Sequence, residues 1–173
     1  MCPSRANAWR PAGVTIAAME INRDAPVTAV GTVDVSAAPE AIWEVLADLA
    51  RWPEWNPDIS EVSVDGPLAV ATRFRWKSGP GGITSVLREV DPPHTLGWTG
   101  TTFSIRAVHV YRLEPIDAGT RVRIEESWEG LLASLLRRPF RGTLQTAIDT
   151  GLARLKAEVE RRAAAERQTA APP

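Results

Sequence analysis

The chain contains a single cysteine, Cys2, and two histidines, His94 and His109. One thiol closes no internal disulfide, which suits a reducing, cytoplasmic setting. So few soft ligands leave no metal-binding spacing, and neither a reactive cysteine nor a Gly-x-Ser-x-Gly elbow occurs. No dinucleotide fingerprint follows any candidate strand. The expectation is therefore a protein with no metal and no cofactor. A net charge of -1 supplies no general attraction to nucleic acid, and no nucleic-acid module is recognisable. No apolar run approaches the roughly 18 residues of a spanning helix, so stable membrane insertion is not expected. Arg5, Arg10 and Pro11 also interrupt the N-terminal stretch where a signal peptide would carry its apolar region.

What is present is an ordinary globular composition, 44% hydrophobic and 24% charged, over a length that suits one domain. Residues 1–24 read as a flexible extension, 25–166 as the domain and 167–173 as a disordered tail. Met19 stands just before the first credible strand and is the expected natural start. Thr28 to Val35 alternates as strand one. Pro39 then suits the first position of a helix to about Leu49, with Ile42, Val45, Leu46 and Leu49 on one stripe. The proline-rich segment from Arg51 to Pro57 predicts a short helical turn and a loop. From Ile59 to Gly130 the period becomes two, with strands near 60–65, 71–78, 82–90, 95–100, 103–114 and 119–129. Ser78 to Gly82 is a glycine-rich hairpin turn lacking a phosphate loop's lysine. Phe140, Leu144, Ile148, Leu152, Leu155 and Val159 form the apolar stripe of a long final helix.

Strand alternation sorts the faces. Arg and Lys flanking Phe74 and Trp76 turn those two rings inward. Arg106, Arg112 and Glu114 mark an outer face, leaving Ile105, Ala107, His109, Tyr111 and Leu113 inside. Arg121, Arg123, Glu125 and Glu129 likewise leave Val122, Ile124, Glu126 and Trp128 inside. If the last hairpin sets Leu113 opposite Val122, then Tyr111 faces Ile124 and His109 faces Glu126. Two titratable groups would then meet on an apolar wall, either as an anchor or acid/base pair or as a buried pair that satisfies itself. Tyr111 adds a hydroxyl. The expected ligand wall comprises Phe74, Trp76, Trp98, Ala107, His109, Tyr111, Glu126, Trp128, Ile148, Gly151 and Leu152, with His109, Glu126 and Tyr111 as catalytic candidates. Trp52 and Trp55 are read as packing residues, with a place at the pocket entrance as the alternative. Leu131 to Leu136, followed by Arg137 and Arg138, reads as a lid or lead-in turn, with an amphipathic membrane-contact element as the alternative.

Several stretches resemble a known family: Ala38 to Asp48, Trp52-Pro-Glu-Trp-Asn-Pro57, Asp91-Pro-Pro93 with Gly97-Trp98, and Gly119 to Val122 leading to Glu125-Glu-Ser-Trp128. Together with the element order they are similar to the polyketide cyclase/dehydrase-like members of the START/Bet v 1-like (SRPBCC) superfamily. That resemblance covers about residues 28–165. It implies an α+β helix-grip fold, in which a seven-stranded curved antiparallel sheet wraps a long C-terminal helix and two short helices follow strand one. It also implies an internal cavity for a small hydrophobic ligand: lipid-like, aromatic or polyketide-like. A cyclase, aromatase or dehydrase activity and a regulatory or interaction role without turnover stay open, since one fold hosts many functions. The oligomeric state is not legible.

Overall fold

The computed structural model describes residues 18–79 and 81–170, and the N-terminal stretch 1–17 lies outside them. The elements are β1 (Val27–Val35), α1 (Pro39–Ala47), a 3-10 turn (Leu49–Arg51), α2 (Trp52–Trp55), β2 (Ile59–Val64), β3 (Arg73–Ser78), β4 (Gly81–Asp91), β5 (Thr95–Thr102), β6 (Ile105–Ile116), β7 (Gly119–Glu129), α3 (Leu131–Leu135) and α4 (Arg137–Ala170). All strands join one antiparallel sheet in the order β1-β7-β6-β5-β4-β3-β2. Short turns make β2 to β7 a meander. β1 returns to pair with β7 and leaves α4 free to cross the inner face. This is the α+β helix-grip architecture.

Local chemistry explains where the helices sit. Pro39 occupies the first turn of α1, where a missing N–H costs nothing. Ile42, Val45 and Leu46 bury one face of that helix, and Leu49 in the following turn continues the stripe. On α4, Leu144, Ile148, Leu152, Leu155 and Val159 are all buried, as their three- and four-residue spacing requires. β1 contributes Ala29 and Gly31 to the inner face. These small residues let α4 settle close to β1 at one side of the sheet. The larger side chains of β3, β5 and β6 hold the other side of the sheet further from the helix, and an interior space remains between them.

Three features depart from the sequence expectations. Residues 19–24 are docked on the sheet's outer face. Met19 donates its backbone N–H to Glu89 (2.7 Å), its carbonyl accepts from Arg112 (2.6 Å), and Ile21 is buried. That cover buries Glu125, an outer-face residue, to 5% side-chain exposure among Arg23, Arg112 and Arg123. Burial alone would push the Glu125 carboxyl up. Arg123's hydrogen bond and the three surrounding cations outweigh burial and hold it below the ordinary range. Second, the β5–β6 turn falls at Phe103 and Ser104, so Phe103 lies outside both strands. Third, α4 continues to Ala170, past the expected end of the domain at Glu166; residues 171–173 lie outside the described residues.

Two predictions follow from α4 itself. Gly142 lies within this helix, and a Cβ there would meet nothing within 4 Å. Gly142→Ala is expected to stabilise the protein by about 1 kcal/mol in urea unfolding, because only the helix-propensity difference is at stake. Glu158 accepts hydrogen bonds from Arg161 and Arg162. Chiefly through Arg161's hydrogen bond, its carboxyl is held at about 2 against an ordinary 4.5. A lowered folded-state value adds stability above pH 4.5 that is lost as pH falls toward 2. Arg161 is 65% exposed, so water screening limits the effect to about 1–2 kcal/mol. Acid titration of unfolding should show a shallower loss in Glu158→Gln across that window.

Candidate functional site

The last hairpin sets the centre of the site. β6 and β7 pair with Leu113 opposite Val122, Tyr111 opposite Ile124 and His109 opposite Glu126. This is the register that alternation and the Asp117-Ala118-Gly119 turn predict. His109 Nδ1 lies 2.7 Å from Glu126 Oε2. A carboxylate only accepts, so Nδ1 carries the proton in this contact. Glu126 Oε1 accepts the Trp128 indole N–H at 2.6 Å. The carboxylate is thus held from two sides, and it fixes both the tautomer and the orientation of the imidazole. Trp98, opposite His109 on β5, stacks on the imidazole with centroids 4.2 Å apart and planes 9° apart.

Tyr111 lies beside His109, with ring centroids 5.0 Å apart. Burial, and secondarily the Glu126 charge, push its phenol far above the ordinary range. Tyr111 therefore keeps its proton and presents an O–H.

Two adjoining cavities open between this wall and α4. The smaller, about 130 Å³, is lined by His109, Tyr111, Glu126, Trp55, Ile148 and Gly151 among others. The larger, about 500 Å³, runs along Ala107, Trp128, Leu132, Phe140 and Leu144. Trp76, Ser78, Trp98, Glu126 and Ala147 line both. The small cavity is the more polar of the two in proportion, and the large one is mostly apolar. His109 and Trp55 line the small cavity, while His109 Nε2 and Trp55 Nε1 are themselves buried and have no hydrogen-bond partner among the described residues. Arg154 on α4 donates to Asn56 Oδ1 and Asp58 Oδ2, each at 2.6 Å, and ties the loop after α2 across the same cavity. Among the described residues no group of three or more His, Cys, Asp or Glu is arranged to hold a metal ion.

Nine of the eleven residues expected on the wall line one cavity or both. Phe74 and Leu152 line neither. Phe74 faces inward but is fully buried under Trp52, at 5.9 Å between centroids. Leu152 packs toward Gly31 on the β1 side of α4. Alternation and helical period identify a face, and these two sit on the right face at the wrong depth. Trp52 and Trp55, read as packing residues, also line the small cavity. Trp52 does both: its indole donates to the Leu46 carbonyl at 2.9 Å while its ring packs edge-on against Trp76. Their enrichment in a short Pro-bounded segment was the available signal. Leu131 to Leu136 forms the lead-in to α4, with Ala133 buried and Leu131 and Leu135 exposed.

Comparison with known proteins agrees with this geometry. An uncharacterized protein of Mycobacterium tuberculosis is 28% identical over 165 residues, spanning 87% of this chain and 95% of its own. The crystal structure of the Zhui aromatase/cyclase from Streptomyces sp. R1128 superposes with a TM-score of 0.68 at 18% identity, covering 79% of this chain and 94% of that one. A hypothetical protein of Helicobacter pylori superposes with a TM-score of 0.72 at 16% identity, covering 92% of this chain and 99% of that one. At such identities the structures speak for the fold alone. Among the described residues no helix is long and apolar enough to cross a membrane. The family model described as polyketide cyclase / dehydrase and lipid transport matches residues 26–160, and the chain belongs to that family.

Proposed function

We propose that this protein binds a small hydrophobic ligand whose apolar body fills the large cavity and whose polar end enters the small one. The observation that carries this reading is a mostly apolar large cavity that meets, at Trp76, Trp98 and Glu126, a smaller one lined by His109, Tyr111 and Glu126. His109 Nε2 and Trp55 Nε1, buried without partners on residues of the small cavity, each cost about 1–3 kcal/mol. A ligand that turned either atom into the cavity and paired it would recover part of that energy. The Trp55 indole N–H donates and the Tyr111 hydroxyl can donate or accept, so a ligand hydroxyl suits this lining. Cavities of this size and lining suit an aromatic, polyketide-like or lipid-like molecule.

Calorimetric titration with naphthol and naphthalene tests the proposal. The protein should prefer naphthol, and His109→Phe should remove that preference while leaving naphthalene binding. Ala147→Trp, which fills both cavities from the helix side, should weaken both ligands at least about tenfold, ~1.4 kcal/mol. Equal binding in wild type and Ala147→Trp would place these ligands outside the cavity and reject the reading.

A second reading, proton transfer of the cyclase/dehydrase kind, is favoured by the dyad itself. A carboxylate behind an oriented imidazole, on a residue that lines the cavity, is the arrangement of a general base. Tyr111 and the Trp55 indole then supply N–H and O–H groups for a developing oxyanion. Deuterium uptake by a 1,3-diketone in heavy water, abolished in His109→Phe, would support turnover; uptake at the buffer rate would reject it.

A further inference from the structure

Six large apolar side chains are exposed among the described residues; one of them, Phe103, lines the large cavity, and three more, Leu131, Leu135 and Leu136, flank Leu132, which also lines it. Phe103 is 82% exposed, Leu131 and Leu135 are each 71% exposed, and Leu136 is 41% exposed. Their proximity is built into the backbone. Phe103 and Ser104 form the β5–β6 turn, and a Cβ on Gly130 would strike the Ser104 carbonyl oxygen. Only glycine at φ +116° lets α3 start directly against that turn. Phe103 itself sits at φ +48°, a conformation bulky residues seldom adopt. The fold thus holds an aromatic ring in water on a strained turn.

The chain continues from these leucines into Arg137, Arg138 and Arg141, all exposed. No acidic residue occurs between Leu131 and Ile148. None of the three arginines is in an ion pair among the described residues, and Arg141 donates to the Pro26 carbonyl at 3.1 Å. A chain of net charge -1 therefore concentrates cations beside its most exposed apolar side chains.

We propose that this rim docks on an anionic membrane surface. Phe103, Leu131, Leu135 and Leu136 enter the headgroup layer, and Arg137 and Arg138 meet the lipid phosphates and acidic headgroups. The shape favours lipid over a protein partner. The apolar groups protrude from a turn and a five-residue helix; they form no groove for a complementary ridge, and a fluid interface adapts to such an edge. Phe103, Leu132 and Phe140 also line the large cavity, so docking would set its mouth against the acyl layer. That loading route rests on the proposed ligand function; the docking rests on the surface alone.

The test is sedimentation of the full chain with phosphatidylcholine vesicles, with and without phosphatidylserine, at low and high salt. Binding is expected on the anionic vesicles and should fall with salt. A cationic side chain near such a surface multiplies partition about fivefold, so Arg137→Gln with Arg138→Gln should lower it about 25-fold. Leu131→Ser with Leu135→Ser should also release the protein. It should leave thermal unfolding and naphthol binding unchanged, because neither leucine lines a cavity. Phe103→Asn is an independent variant whose residue suits the positive φ. Equal pelleting on neutral and anionic vesicles would overturn the proposal, as would wild-type pelleting by the variants. So would a dimer that the leucine variant dissolves in a protein that never pellets, since a second copy would then cover the rim. The assay uses ligand-free protein, so failure of the ligand reading leaves its outcome intact.

Discussion

Glu126→Leu is expected to cost about 3 kcal/mol of stability, and adding His109→Phe in the same chain should restore more than half of it. The wild-type carboxylate accepts from the His109 ring at 2.7 Å and from the Trp128 indole at 2.6 Å. Both side chains of the pair are only 14% exposed. Leucine fills the volume but accepts from neither donor, and each buried donor left alone costs about 1–3 kcal/mol. Phenylalanine at 109 removes one of those donors and keeps a ring to stack on Trp98. The two substitutions should therefore be strongly non-additive, with a coupling of about 2–3 kcal/mol. Urea unfolding of the two single variants and the double variant measures this directly. If Glu126→Leu costs less than about 1 kcal/mol, water already satisfies these donors, and the small cavity is wetter than its lining indicates.

That pair was legible in the sequence because two signals agreed. Charges at Arg106, Arg112 and Glu114, and at Arg121 and Arg123, assign the outer faces. The Asp117-Ala118-Gly119 turn then sets the pairing. A strand period of two leaves no compromise: a one-residue slip would expose Leu113 and Val122 and bury the arginines. The long helix was legible for the same reason, its apolar stripe lacking any other periodic explanation.

What stayed hidden depends on contacts remote in the chain. Residues 19–24 carry no strong propensity. They are held by partners such as Glu89 and Ser127, 70 and 105 positions away. The burial of Glu125 depends on the same cover. The β5–β6 turn contains no glycine, proline or asparagine, so nothing marks Phe103 as a turn residue. The depth of a residue along the inner face is also set by what crosses it. Trp52 lies over Phe74 and closes it off from the cavity. Trp76, two residues further along the same strand, lines both cavities.

The position of α4 over β1 determines the cavity's width, and Gly31→Val should be strongly damaging, at about 3 kcal/mol or more. A glycine inside a strand normally weakens it, and valine is a strong strand former; on propensity alone this substitution should help. Packing reverses the sign. A Cβ on Gly31 would lie 2.5 Å from Ile148 Cγ2 and 2.8 Å from Leu152 Cδ1. Those atoms end flexible side chains, yet both residues are at most 4% exposed; Leu152 lines no cavity, and Ile148 could yield only into the small cavity it lines. Valine adds two further methyl groups to the same point. The helix must then lift, which loosens Leu144, Leu155 and Val159 from the core along with the two residues in contact. Gly31→Ala should cost about 1–2 kcal/mol. Ile148→Ala in that background should cost less than it does alone, because it removes the clashing methyl. Denaturant midpoints at unchanged slope give these differences. Wild-type stability in Gly31→Val would mean that α4 does not rest on β1, and the two cavities could not then have the walls described.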